Sequence, residues 1–66
     1  MVSYEPLISY LESRGYSVNE LTKRKIINST TAQQIRNGDP ISLRIIDRIC
    51  LHLDLPIEQV VQIEKD

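Results

Sequence analysis

Apolar residues recur at three- and four-residue intervals along nearly the whole chain, and no stretch alternates convincingly with period two. Tyr4, Leu7, Ile8 and Leu11 fall on one face of a first helix. Ser3 is placed to cap it, Glu5 and Pro6 suit its opening turn, and Gly15 suits a left-handed stop. Ser17-Val18-Asn19-Glu20 reads as a capping box, with Tyr16 and Leu21 spaced as a hydrophobic staple, and predicts a second helix over residues 18–25. Asn28 is placed to cap a third helix over residues 29–37, which Gly38 closes. Its only buried candidates are Ala32 and Ile35, with Thr31 beside them. After the Asp39-Pro40 loop, Ser42 caps a fourth helix, Ile41 and Ile46 fit a second staple, and Leu43, Ile46, Ile49, Cys50 and Leu53 form the inner stripe. Beyond Pro56, the positions of Ile57, Val60, Val61 and Ile63 predict a short fifth helix. The expected fold is all-α, five short helices around one core.

The third helix is unusually polar. Ser29, Thr30, Gln33, Gln34 and Asn37 stand at i, i+1, i+4, i+5 and i+8 and share the face opposite Ala32 and Ile35. A merely solvated helix face would favour Glu and Lys; these residues form helix less readily or carry no charge. They do donate and accept hydrogen bonds, and a glutamine amide can pair bidentately with adenine N6 and N7. The second and third helices, joined by Ile26, Ile27 and Asn28, match a helix-turn-helix. In that motif the first helix crosses the DNA backbone and the second enters the major groove.

Charge supports this reading through its distribution, although the net value is −1. Between residues 19 and 48, Lys23, Arg24, Lys25, Arg36, Arg44 and Arg48 against Glu20, Asp39 and Asp47 leave +3; the remainder of the chain carries −4. A basic middle with acidic flanks gives a polarised surface. Sixty-six residues make one domain, 1–66, and with 41% apolar residues but no Trp or Phe, its core must rest on Leu, Ile and Val. No apolar run reaches the roughly 18 residues of a membrane span, and the N-terminal residues do not read as a secretory signal. A cytoplasmic location is expected. Cys50 is single and lies on the inner stripe, where it reads as core filler. His52, two residues on, shares no helical face with it, so neither a disulfide nor a metal site is expected. The sequence has no nucleophile–base pair, paired carboxylates or glycine-rich phosphate loop. We therefore expect no catalysis, no cofactor and no small-molecule ligand.

The run Ser42-Leu43-Arg44-Ile45-Ile46-Asp47-Arg48-Ile49-Cys50-Leu51-His52-Leu53, followed by Asp54-Leu55-Pro56-Ile57-Glu58-Gln59-Val60-Val61, resembles the helix-turn-helix domain of the Cro and phage-repressor superfamily. The likeness is greatest to the small stand-alone members and covers residues 21–61, or nearly the whole chain with the first helix. The resemblance implies a lambda-repressor-like fold and sequence-specific binding of double-stranded DNA by a prokaryotic or phage transcriptional regulator. Carried over by position, Ser29, Thr30 and Gln34 are base-reading residues, with Gln33 an additional contact. Asn37 and the backbone near Gly38 match a phosphate contact. Val18 falls where relatives often touch phosphate with a polar residue, a role Asn19 can take instead. Lys23, Lys25, Arg36 and Arg44 are the cations expected to carry affinity.

Two positions depart from the family pattern. Ile26 stands at the usual turn glycine, so either a β-branched residue is strained at positive φ, or the turn is rebuilt, or the second helix runs longer. Asp39 stands where relatives often carry a base. A homodimer on a palindromic site is the natural expectation, through exposed parts of helices four and five or through Tyr4 and Tyr10. The competing class is a protein-interaction module on the same fold, such as an antitoxin, anti-repressor or adaptor.

Overall fold

The computed structural model describes residues 1–65. Among them are four α-helices: α1 (Glu5–Ser13), α2 (Val18–Lys23), α3 (Ser29–Asn37) and α4 (Leu43–Leu53). Among the described residues no helix is long and apolar enough to cross a membrane. Leu7, Leu21 and Ile49 are fully buried, one each from α1, α2 and α4; Ile35 of α3 and Leu11 join them at 1% and 2% exposure. Val60, from the segment after α4, closes the core at 0%. Tyr4 supplies the aromatic ring of this core, and the branched aliphatic side chains interlock around it to make the interior.

All four helices end alike, on a residue in the left-handed region. These are Gly15 (φ 78°), Lys25 (φ 61°), Gly38 (φ 76°) and Asp54 (φ 56°). In α2 the Lys25 amide donates to the Thr22 carbonyl and the Ile26 amide to the Leu21 carbonyl, both at 3.0 Å. This is the paired arrangement that satisfies the last carbonyls of a helix, and its apolar contact partners here are Leu21 and Ile26. Helix α2 therefore stops at Lys23, two residues short of the sequence expectation. The positive φ belongs to Lys25, and Ile26 is buried at 5% exposure. The turn is rebuilt one residue earlier than the family glycine position.

The predicted fifth helix is absent among the described residues. Ile57–Gln59 forms a single 3-10 turn, after which Gln62–Ile63 (β2) pairs antiparallel with Val2–Ser3 (β1). The pairing is prolonged by the Glu64 amide, which donates to the Met1 carbonyl at 2.8 Å. A segment this short cannot nucleate a helix alone, and the first residues of the chain offer it a ladder. Ile63 is consequently 71% exposed, and Leu43, at the very start of α4, is 74% exposed. Neither belongs to the core as the spacing implied.

Caps also differ in part. Asn28 and Ser42 cap α3 and α4, accepting from the amides of Thr31 (2.8 Å) and Ile45 (3.2 Å). Ser3 lies in β1, two residues before the start of α1, yet its hydroxyl still accepts the Glu5 amide at 3.2 Å. The Ser17–Glu20 capping box does not form: the Glu20 amide bonds to the Ser17 carbonyl instead. The Glu20 carboxylate turns to Arg24, Nε to Oε2 3.0 Å, because an i, i+4 cation outcompetes the backbone. Tyr16 is exposed rather than stapled, its ring under the Arg24 guanidinium at 5.0 Å.

Tyr4 locks the end of α3 to the N-terminus. It is 3% exposed, and its hydroxyl donates to the Asp39 carbonyl at 2.6 Å. That burial removes Tyr4 from any dimer interface. Desolvation, helped by the Asp39 charge, pushes its phenol above the ordinary value of 10.0. Tyr4→Phe is expected to cost about 1 kcal/mol at neutral pH, measured by urea unfolding. A raised folded-state value means that this stability is present below the unfolded phenol's value of 10.0 and is lost as pH rises past it. The Phe variant should accordingly lose less stability than the parent as pH is raised beyond that point.

Candidate nucleic-acid interface

Helix α3 owes its exposed face to what anchors the opposite one. Thr31, Ala32 and Ile35 are buried at 4%, 2% and 1% exposure. Ser29, Thr30, Gln33 and Asn37 are left in solvent, with Gln34 half-buried at one flank. The cap at Asn28 fixes the first turn and the left-handed Gly38 fixes the last. On this face the Gln33 amide Nε2 donates to Asn37 Oδ1 at 3.2 Å. The four proposed readers, Ser29, Thr30, Gln33 and Gln34, are thus gathered on one short helix, and Asn37 is joined to them. Such a face presents amide and hydroxyl groups to a partner without any charge of its own.

The predicted phosphate contacts come from α2, the turn after it, α3 and α4. Lys23, Lys25 and Arg44 are exposed and form no ion pair among the described residues. Arg36, also exposed, donates to the Asn19 side-chain oxygen, which ties α3 to the first turn of α2. This bond places two of the proposed phosphate contacts side by side. Val18 is buried at 6% exposure and cannot touch phosphate, whereas Asn19 beside it is exposed. The Gly38 amide is already donated to the Ile35 carbonyl at 3.2 Å, so it is not a free donor. Asp39 is exposed, with its backbone carbonyl held by Tyr4.

Two remaining cations of the basic stretch are committed elsewhere. Arg24 is held by Glu20, and the hydrogen bond to that carboxylate is the first cause that raises its value above that of a free guanidinium. Arg48 donates to the carbonyls of Ile26 and Lys25, a role that sequence reasoning missed. Nothing local could have revealed it, because the acceptors are backbone atoms 22 and 23 residues away. Away from this face, Cys50 is half-buried; burial first, then Asp47 and Glu58, pushes its thiol up. A thiol so held is a poor nucleophile.

A family model described as the Cro/C1-type HTH DNA-binding domain matches residues 7–66. No curated protein matches the sequence. Among solved structures, the chain is similar to a crystal structure of the transcriptional regulator VanUg, with a TM-score of 0.88 at 22% identity. That alignment covers 98% of this chain and 87% of the other. At this identity the likeness is one of fold.

Proposed function

The chain belongs to the Cro/C1-type helix-turn-helix DNA-binding family, and we propose that it is a sequence-specific transcriptional regulator of a prokaryotic or phage genome. In this reading residues 1–66 act as one domain, and α3 lies in the major groove. Ser29, Thr30, Gln33 and Gln34 read base edges, while Asn19, Lys23, Lys25, Arg36, Asn37 and Arg44 hold phosphates. The observation that carries the proposal is the uncharged, hydrogen-bonding outer face of α3, held rigid by its buried inner edge. A helix of 9 residues reads only a few base pairs, so two copies on a palindrome are proposed.

Salt dependence and site selection test this together. With four cations, Lys23, Lys25, Arg36 and Arg44, on phosphate, the logarithm of affinity should fall against the logarithm of salt with a slope of about −3 to −4 per chain. Selection from a random duplex pool should return one motif with two-fold symmetry. A flat salt response, or no binding at low salt, would favour the interaction-module reading instead.

A further inference from the structure

We infer that Arg48 is a positioning residue for DNA reading: it fixes the turn between α2 and α3 and thereby sets the pose of the recognition helix. This rests on the function proposed above. The Arg48 Nε donates to the Ile26 carbonyl and its Nη2 to the Lys25 carbonyl, each at 3.1 Å. Two successive carbonyls match one edge of a planar guanidinium, a fork that a lysine ammonium cannot reproduce. These carbonyls follow the C-terminus of α2, where partial negative charge gathers and a cation is favoured.

The peptides concerned are those at which the chain reverses. Lys25 is the left-handed residue, and Ile26 and Ile27 are buried just after it. Arg48 shares a surface hollow with Asn28 and Thr31, the capping pair that begins α3. It therefore ties α4 to the turn, beside the start of the recognition helix. Among the described residues it has no carboxylate partner, so its fixed interactions are with this backbone. Loosening the fork would let the turn shift and move Ser29 and Thr30 relative to the bases. The phosphate cations would keep their charge.

Arg48→Gln and Arg48→Lys test this in the full chain, below the unfolding transition of each variant as checked by circular dichroism. Both retain a stem to cover the hollow, and Lys retains the charge. Affinity is measured by fluorescence anisotropy on the duplex recovered by selection and on a random duplex, across a salt series. Both variants should lose about tenfold on the selected duplex and less than about twofold on the random one, with the salt slope unchanged. Full rescue by Lys would overturn the fork. Equal losses on both duplexes with a slope reduced by about one unit would make Arg48 a phosphate contact instead. Unchanged affinity of the folded variants would leave it a purely structural residue. Absence of salt-dependent binding by the parent chain would remove the DNA reading itself, and the inference with it.

Discussion

Replacing Ile26 by glycine is expected to lower the unfolding free energy by about 3–5 kcal/mol, although this is the position where relatives carry glycine. Ile26 is 5% exposed and follows a turn whose left-handed residue is Lys25. The substitution therefore removes a buried side chain without relieving any strain. It also removes the apolar contact with Leu21 that accompanies this kind of helix ending. A domain of 66 residues holds only a few kcal/mol in total, so much of the variant should be unfolded at room temperature. Lys25→Gly should act in the opposite direction. A residue with a Cβ in the left-handed region costs about 1–2 kcal/mol, and the freer unfolded glycine returns part of that. The net gain should be about 0.5–1 kcal/mol. Urea midpoints at constant m-value measure both. A midpoint for Ile26→Gly at or above that of the parent would place the strained residue at position 26 after all.

This pair shows which parts of the fold were legible. Caps and stops written in consecutive residues were readable: Asn28 and Gly38 bound α3 where the residue types put them. The turn was not, because position 26 is occupied by a residue that prefers burial to positive φ. The left-handed residue then falls on Lys25, whose side chain is free in solvent. Glu20 is a second case. Its spacing from Ser17 fits a capping box, yet its spacing from Arg24 fits an ion pair, and only the second forms. The segment after Pro56 failed for a non-local reason. Its helical spacing was genuine, but its pairing partner, β1, lies at the opposite end of the chain.

The candidate site divides along the same line. The outer face of α3 follows from helical periodicity, so all four proposed readers are legible in the sequence. What periodicity cannot supply is which side chains engage one another. The bond between Arg36 and Asn19 joins α3 to α2, and the bond between Gln33 and Asn37 lies within the reading face. Arg48 was hidden more deeply. Its side chain is one cation among several in the sequence, and only the path of the turn gives it acceptors.

Removing the glutamine amides should separate reading from holding. Gln34→Ala is expected to cost about 1–3 kcal/mol on the selected duplex, relax preference at one base pair, and leave random-duplex affinity nearly unchanged. Gln33→Ala should cost a similar amount, but at a neighbouring base pair, and it also frees Asn37 Oδ1 from its 3.2 Å bond. If Asn37 then turns to a base, the preference at its position should change in kind rather than simply weaken. Gln33 lies on the outer side of α3 and Gln34 at its half-buried flank, so the unfolding midpoint should stay close to the parent value for Gln33→Ala and fall only slightly for Gln34→Ala. Neither residue carries charge, so the salt slope should also hold. Repeating the pool selection with each variant gives the decisive comparison. A motif unchanged at every position in both would mean that neither glutamine reads sequence and that α3 is not seated in the groove as proposed.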